Sequence, residues 1–375
     1  MTLLSPTAAA AHAQDVLVLS TGDIRIPLHP ALPPAPARGA DQHYRAPAGD
    51  PGLRAVIAAS ASAPGAAALD AGQVLVAPGA RQAILAVLRT VLTGGRTEVL
   101  VPSPYWASYP HLIEMAGGRA VTVPGEVGDA SPDIEALEAH RTGRTGAVVV
   151  NSPRNPDGAV ASAQSLRALV EWAGEHGITV LFDQVYRGVA VTDRPAPSIT
   201  GLYPELPGHC VLVDGLSKSH ALAGLRLGWA IASPATAAGA AAVASHFIGH
   251  TSGPAQDTAA AVLAGGEHER QRIGKELAAN LDLALRALAD IPGLSCRRPA
   301  GGIFLFPDIR GWLATAPEDA RRAPARWLAE QHRVAVVDGA AFGAPGHLRL
   351  SFALPAEQLD TGLARLRRAL LPADR

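Results

Sequence analysis

Residues 211–230 hold a lysine in a setting that suits covalent chemistry. An apolar run ends at Gly215, Ser217 and Lys218 follow it, and Arg226 comes a few residues later. A lysine amine forms a Schiff base with an aldehyde, while a nearby hydroxyl and guanidinium can hold a phosphate on the same ligand. An isolated lysine is more often a solvated surface residue, so this stretch alone leaves both interpretations open.

Two further loops follow apolar runs and carry groups that could bind a ligand. In residues 78–82, PGARQ, a glycine permits close backbone approach, and the N–H groups of Ala80 and Arg81 favour an anion at a helix start. Asn155 precedes a proline, which holds it extended, and its amide can hydrogen-bond a phenolic oxygen. A plain turn would explain either sequence as well.

Three further candidates lie in or near predicted strands: Asp183 and Tyr186 follow one strand, and Arg349 lies within another. Asp183 directly follows ITVLF, and a buried acid needs a cation or donor, such as a protonated pyridinium nitrogen. Arg349, between two leucines, could grip a carboxylate with its planar fork. The alternatives are an acid that caps a neighbouring turn and an arginine on a strand surface.

The elements that must position these residues alternate between strands and helices after residue 70. Ligands bind at the carboxyl ends of the strands in such sheets. The pattern predicts strands at 73–78, 98–101, 119–123, 146–150, 178–182, 210–213 and 228–232, and helices at 80–92, 106–116, after 131–132 and at 163–176 behind Ser162. We therefore predict an α/β fold, with a mostly parallel mixed sheet and helices on both faces.

Residues after about 254 follow a different pattern, which predicts a smaller α+β domain. Helices are predicted at 255–264, 267–290, 319–331 and 356–370, with short apolar runs at 303–306, 334–337 and 347–352. Residues 16–32 are predicted as a short apolar run followed by a loop with several prolines, and residues 43–54 as a second loop rich in proline and glycine. Residues 1–14 are predicted as a mobile or helical arm. The expected division is an N-terminal arm and loop (1–45), a large domain (46–254), and a linking helix with the small domain (255–375).

Composition indicates a soluble globular protein and gives no reason to expect a disordered chain, a nucleic-acid or membrane partner, or a disulfide framework. Hydrophobic residues make up 48% and charged residues 17% of the chain. A net charge of −1 gives no reason to expect nucleic acid or a membrane surface as partner. Cys210 and Cys296 are far apart and show no metal-binding pattern, which fits a reducing cytoplasm.

In combination the motifs identify a family. The chain resembles the fold type I pyridoxal-phosphate aminotransferases, the aspartate aminotransferase superfamily, and most closely its class I/II branch. The matching motifs are YRAPAG, PGARQAI, PSPYWASYP, NSPRNPDG, FDQVY, GLSKSHALAGLRLGW and LRLSFA. The resemblance covers nearly the whole chain. It implies the cofactor pyridoxal 5′-phosphate, a large cofactor-binding domain and a homodimer with shared active sites.

The resemblance also implies a role for each matching residue. Lys218 would form the internal aldimine and move the proton between Cα and C4′, and Asp183 would pair with the pyridine nitrogen. Asn155 and Tyr186 would bind the 3′ oxygen, Trp106 would stack on the ring, and the phosphate would be held by Ala80, Arg81, Ser217, Arg226 and the other subunit's Tyr44. Arg349 would hold the substrate α-carboxylate, Gly22 would pack over the substrate, and Asn155 would also face it.

Some residues depart from the family pattern. Gly215 stands where many relatives have serine, and Gln184 replaces the glutamate that usually follows the aspartate. The stretch GDIRIPLHPAL, which should line the substrate side, is short and proline-rich. Substrate identity is therefore open. Arg25, His29 and Arg45 are candidates for reading a distal acidic group, and each could equally be a solvated loop residue.

The predicted reaction is transamination, in which an L-amino acid passes its amino group to a 2-oxo acid. An elimination, cyclisation or oxidation on the same scaffold would use the same cofactor residues and is the alternative. A cofactor-sensing regulator would also need a DNA-binding domain and a basic surface, and neither is visible in the sequence.

Overall fold

The computed structural model describes residues 15–27, 43–189, 191–192 and 196–371. Its strands are β1 (Leu17–Val18), β2 (Val74–Ala77), β3 (Glu98–Pro102), β4 (Arg119–Val123), β5 (Thr145–Asn151), β6 (Thr179–Asp183), β7 (Cys210–Gly215), β8 (Gly228–Ile231), β9 (Phe304–Leu305), β10 (Val334–Ala335), β11 (Val337–Asp338) and β12 (Leu348–Ser351). Seven of them form one sheet in the order β2-β8-β7-β6-β5-β3-β4. Strand β8 runs antiparallel to both of its neighbours, and the other pairings are parallel. The predicted mostly parallel mixed sheet is confirmed.

Both faces of the sheet are buried, which explains why its strands are continuous apolar runs. Every residue of β5 is buried. Val148 and Val150 point into one hydrophobic cluster, whereas Ala147 and Val149 point into another on the opposite face. Helices cover the two faces, and a single strand therefore contributes to two cores.

The helices are α1 (Pro51–Ala61), α2 (Ala80–Val91), α3 (Tyr109–Met115), α4 (Ile134–His140), α5 (Ala163–Glu175), α6 (Leu216–Ser219), α7 (Pro234–Phe247), α8 (Gly253–Gly265), α9 (Glu267–Leu288), α10 (Arg310–Leu313), α11 (Glu318–Arg322), α12 (Pro324–His332) and α13 (Ala356–Leu370). Short 3-10 turns lie at Ala71–Gln73, Ile199–Gly201, Ala223–Leu225 and Gly339–Phe342. In the described part of the chain, no helix combines the length and apolarity needed to cross a membrane.

Two of the predicted elements were wrong in part, and one helix was missed. The loop predicted at 43–54 ends early, because Asp50 caps a helix whose first residue is Pro51. The alanine-rich helix α7 was missed, since alanine gives it almost no apolar stripe. The single helix predicted at 319–331 is two helices, because Ala323 precedes a proline and takes an extended φ of −152°.

A smaller unit surrounds an antiparallel sheet of order β11-β12-β9. Its core includes Leu277 of α9, Phe304 and Leu350, and it also includes Leu19 and Ile24 from the N-terminal segment. Strand β1 pairs with β10 in the same region. The N-terminal segment is therefore anchored to C-terminal elements. The three-region division stays a prediction, and residues 1–14 lie outside the described residues.

Strand register brings the candidate residues to one edge of the large sheet. The last residue of β5, Asn151, stands beside Asp183 at the end of β6. Asp183 in turn stands beside Val213 of β7, and Lys218 follows shortly after that strand. Carboxyl ends of parallel strands meet at the same edge, as the ligand-binding rule for open α/β sheets requires.

Candidate active site

A cavity of about 550 Å³ opens at this edge of the sheet. Its wall combines the N-terminal segment, the segments that follow β2, β3, β5, β6 and β7, and the strand β12. The candidates that line it are Gly22, Ala80, Arg81, Trp106, Asn155, Asp183, Tyr186, Ser217, Lys218, Arg226 and Arg349. Folding therefore brings together eleven of the twelve residues that the sequence assigned to one site.

Lys218 lies in the short helix α6, and its Nζ donates a hydrogen bond to the carbonyl oxygen of Gly22. Burial lowers the pKa of this amine to about 8, the Asp23 carboxylate opposes that effect, and the Arg349 guanidinium reinforces it. A substantial fraction of the amine is therefore neutral near physiological pH. The neutral form is the one that attacks a carbonyl or accepts a proton.

Gly215 explains one departure from the family pattern. A side chain at this position would come within 2.9 Å of the Gly228 Cα and of the Leu227 carbonyl oxygen. The close approach of β7 to β8 therefore leaves no room for a serine at this position. Ser217, two residues later, supplies a hydroxyl to the cavity wall instead.

Asp183 ends β6 with a buried carboxylate. Burial raises its pKa to about 6, whereas a hydrogen bond from Tyr109 and another from the backbone of Val185 lower it. The Tyr109 hydroxyl donates to Oδ2 at 2.6 Å, and the Val185 N–H donates to Oδ1 at 3.2 Å. A buried acid with fixed donors on both oxygens is suited to holding a cationic N–H group.

Asn151 links two of the predicted residues and was missed in the sequence. Its Nδ2 donates to the carbonyl oxygen of Asp183 at 2.9 Å, and its Oδ1 accepts from the Asn155 N–H at 2.7 Å. Tyr186 is buried nearby, and burial raises the pKa of its hydroxyl. The phenol therefore remains protonated and can donate. Asn151 directly follows the strand predicted at 146–150, which was the available signal.

An anion cradle lies at the start of α2. The capping residue Gly79 has a φ of +91° and no side chain, so no side-chain cap accepts hydrogen bonds from the first N–H groups of the helix. A Cβ at Gly79 would come within 2.6 Å of the Arg226 Nη2. Burial lowers the pKa of Arg81, and the charge of Arg226 lowers it further. Two guanidinium groups that repel each other beside a helix N-terminus fit a phosphate group.

Arg349 is 4% exposed and lies between aromatic rings, with Cζ 4.2 Å from the centroid of Phe304 and 4.8 Å from that of Phe342. It donates to Asn155 Oδ1 at 3.0 Å and to the Ser20 carbonyl oxygen at 2.9 Å. Among the described residues no carboxylate pairs with it, and its Nε has no partner. Burial lowers its pKa to about 10. A buried guanidinium without a counter-ion is a site for a ligand carboxylate.

Trp106 and the remaining candidates occupy different positions. The Arg81 guanidinium lies 5.1 Å from the centroid of the Trp106 ring, which lines the cavity. Tyr44 does not line it: the side chain is 95% exposed and its ring contacts His250 edge-on.

The three candidates for reading a distal acidic group also lie elsewhere. Arg45 forms a two-pronged ion pair with Asp257, with N···O distances of 2.6 and 2.9 Å, so its charge is already matched. Arg25 is exposed and outside the cavity lining, and His29 lies outside the described residues.

The fold and this cavity define a class of protein: an α/β enzyme with a lysine, a buried acid, an anion cradle and an unpaired guanidinium in one site. Comparison with known proteins gives the family. The family model for aminotransferase class I and II matches residues 14–366. The chain belongs to this family.

Several relatives support this assignment. An aspartate aminotransferase of Streptomyces avermitilis is 36% identical over 338 residues, which cover 88% of this chain and 82% of the relative. An arginine–pyruvate transaminase of Pseudomonas aeruginosa is 32% identical over 360 residues, covering 94% and 89%. The solved aspartate aminotransferase of Rhizobium meliloti superposes with a TM-score of 0.88 at 28% identity, covering 95% of this chain and 91% of that one. A double mutant of the Thermus thermophilus enzyme gives 0.84 at 31%, covering 95% and 92%.

The chain is thus a pyridoxal 5′-phosphate-dependent aminotransferase, which moves an amino group between an amino acid and a 2-oxo acid. The predicted family, fold class, reaction and cofactor are confirmed. The residues present fit the cofactor, because the cradle at Gly79, the buried acid and the lysine supply one partner each for a phosphate, a ring nitrogen and an aldehyde.

Proposed function

We propose that Lys218, Asp183 and Arg349 are the three working groups of this aminotransferase. The observation that carries the proposal is their convergence in one cavity, where a weakly basic amine, a buried acid and an unpaired guanidinium all face the same space. When bound, pyridoxal 5′-phosphate supplies an aldehyde that condenses with amines and a ring that accepts electrons.

Each residue then has one task. Lys218 Nζ would bind the aldehyde of the cofactor and would be the base that moves the proton of the substrate α-carbon. Asp183 would hold a proton on the ring nitrogen. Asn155 and Tyr186 would donate to the ring oxygen, and Trp106 would lie against the ring.

The phosphate is assigned to the cradle of Ala80, Arg81, Ser217 and Arg226. Arg349 binds the substrate α-carboxylate, and Gly22 lies over the substrate, where a Cβ would meet no atom within 4 Å. The carbonyl oxygen of Gly22 accepts from Lys218, so the N-terminal segment touches the amine that must move during the reaction. This contact supports the assignment of Gly22 to the substrate side.

We further propose that the amino donor is L-aspartate. Three similar proteins of 36, 34 and 32% identity are named aspartate aminotransferase. The Asp23 carboxylate in the cavity wall would repel the side-chain carboxylate of an aspartate substrate at short range. In addition, one relative is named an arginine–pyruvate transaminase. L-arginine is therefore the informative competing donor.

The active unit is proposed to be a cytoplasmic homodimer in which Tyr44 reaches the neighbouring site. Tyr44 is exposed, and the neighbouring Arg45 is held in place by its ion pair with Asp257. This arrangement supports an active site shared between two subunits. Both cysteines are free, which supports a reducing compartment.

The experiment uses the fact that the sequence contains only two lysines, Lys218 and the exposed Lys275. After borohydride reduction of the cofactor-loaded protein, mass spectrometry should find the pyridoxyl group on Lys218. Lys275→Arg should keep the full label and the visible absorbance, whereas Lys218→Arg should lose both. Label on Lys275, or full label in Lys218→Arg, would exclude the lysine assignment. A donor screen by half-reaction absorbance then tests L-aspartate against L-arginine.

A further inference from the structure

Tyr109 is the first residue of α3 and lies directly against the acid of the site. Its side chain is 2% exposed, and its hydroxyl donates to Asp183 Oδ2 at 2.6 Å. Its ring packs edge-on against Trp106, with centroids 5.2 Å apart and planes at 87°. The ring is thereby held by packing, and the hydroxyl has one direction in which to donate.

The direction of this hydrogen bond follows from the environment. Burial and the adjacent Asp183 charge both raise the pKa of the Tyr109 hydroxyl well above its ordinary value. The phenol therefore keeps its proton, and the carboxylate is the acceptor. A donor on a carboxylate stabilises the ionised form, and in a buried site it does so without competition from water.

We propose that Tyr109 is a positioning residue that keeps the Asp183 carboxylate ionised and fixed in orientation, so that Asp183 can hold the proton on the ring nitrogen of the cofactor. The inference rests on the role proposed above for Asp183. It adds a residue that touches neither substrate nor the cavity wall and acts through another side chain.

Other groups around Asp183 act in both directions. Lys218 favours its ionised form, whereas the Asp183 charge raises the pKa of the half-buried Asp214 on β7, so the two carboxylates repel each other. Tyr186 also lies within the range of these charges. Among the side chains described around the carboxylate, Tyr109 supplies the direct hydrogen bond, so its removal shifts the balance toward the protonated acid.

Tyr109→Phe tests this, because it removes the hydroxyl and leaves the ring. The readout is the dissociation constant of pyridoxal 5′-phosphate from the apo-protein, measured by fluorescence across pH. The cofactor binds the ionised acid more tightly, so affinity falls as pH falls through the pKa of Asp183. Loss of a donor that lowers this pKa should move the midpoint to higher pH by about one unit. At neutral pH the affinity should fall by about 10-fold or more, as for a hydrogen bond to a charged group.

Three comparisons separate a positioning role of Tyr109 from a packing role. Tyr105→Phe changes a tyrosine in the loop just before α3 that is not bonded to Asp183, and it should leave the midpoint in place. In an Asp183→Asn background, Tyr109→Phe should reduce cofactor affinity little further, because the carboxylate through which Tyr109 acts is gone. Substituting 3-fluorotyrosine at position 109, a stronger donor of nearly the same shape, should move the midpoint to lower pH.

The outcomes are distinguishable. The inference would be overturned if Tyr109→Phe reduced cofactor affinity equally in the wild-type and Asp183→Asn proteins. It would also be overturned if neither phenylalanine nor 3-fluorotyrosine at position 109 moved the pH midpoint of binding. Either result leaves the role of Asp183 intact. If Asp183→Asn itself leaves cofactor affinity and its pH dependence unchanged, the role proposed for Asp183 fails, and the inference about Tyr109 fails with it.

Discussion

At the scale of single residues, the unpaired charge of Arg349 is the feature that most constrains the substrate. A buried guanidinium is costly without a counter-ion, and the partial compensation here comes from one amide oxygen, one carbonyl oxygen and two aromatic faces. None of these neutralises the charge. A bound carboxylate would do so, and its planar oxygens match the geometry of the guanidinium fork.

Arg349→Lys should therefore reduce kcat/KM for amino acids while leaving the cofactor bound. The lysine keeps the charge but cannot make two parallel hydrogen bonds. The expected loss is about 10- to 100-fold, since a hydrogen bond to a charged group contributes roughly 1.5–3 kcal/mol. Simple amines without a carboxylate are the control and should react at nearly the same rate in both proteins. Equal losses for amines and amino acids would show that Arg349 is structural.

The sequence predicted the residues that would touch cofactor or substrate far better than the residues behind them. Lys218, Asp183 and Arg349 stand in motifs with a recognisable order. Tyr109 lies in one of these motifs but carries no chemical signal of its own, since a tyrosine on a helix is usually a packing residue. Only the register of β5 and β6 and the position of α3 reveal that Asn151 and Tyr109 reach Asp183.

At the scale of elements, the loop after β5 is held by a buried ion pair. Arg154 donates to Asp157 through Nε at 2.9 Å and through Nη2 at 2.5 Å, and its Nη2 also donates to the Glu126 carbonyl oxygen at 2.7 Å. The Gly128 N–H donates to the same Asp157 carboxylate at 2.8 Å. The pair thus ties the loop that carries Asn155 to the segment after β4.

Arg154→Ala should destabilise the protein strongly, because it leaves the Asp157 carboxylate buried without its cation. Removing one member of a buried pair typically costs about 3–5 kcal/mol. Urea unfolding of the cofactor-loaded protein gives the measurement. The matched control is Arg326→Ala, which breaks the exposed Arg326–Glu330 pair and should produce no measurable change. Similar stabilities for the two variants would mean that the buried pair does not hold the loop.

Elements were predictable where one physical signal dominated. Buried parallel strands such as β5 and β6 show as unbroken apolar runs, and helices such as α5 show a cap and an apolar face. The elements that were predicted wrongly are those in which a proline can either start a helix or interrupt one. Pro51 starts a helix and Pro324 separates two, and the choice depends on the neighbouring cap and on packing that local sequence does not contain.

At the scale of the whole molecule, the site is assembled from both units of the chain. The N-terminal segment packs on the C-terminal core yet supplies Gly22 and Asp23 to the cavity, while β12 supplies Arg349. The segment that follows leads to Tyr44, which is the one predicted site residue outside the cavity. Its 95% exposure is what a residue would show in a single chain if its partner were on another subunit.

A subunit-mixing experiment tests this directly. In a symmetric dimer with shared sites, a hybrid of Lys218→Ala and Tyr44→Ala subunits contains one site with both residues intact. With equal amounts and full subunit exchange, about a quarter of all sites should be intact, so activity should rise toward that fraction of wild type. Each variant alone should be nearly inactive, and native mass spectrometry of the mixture, with one variant carrying an affinity tag, shows whether hybrid dimers have formed. If that measurement shows exchange and the hybrid stays inactive, Tyr44 acts within its own chain, and the exposed position must be explained by a rearrangement of its loop.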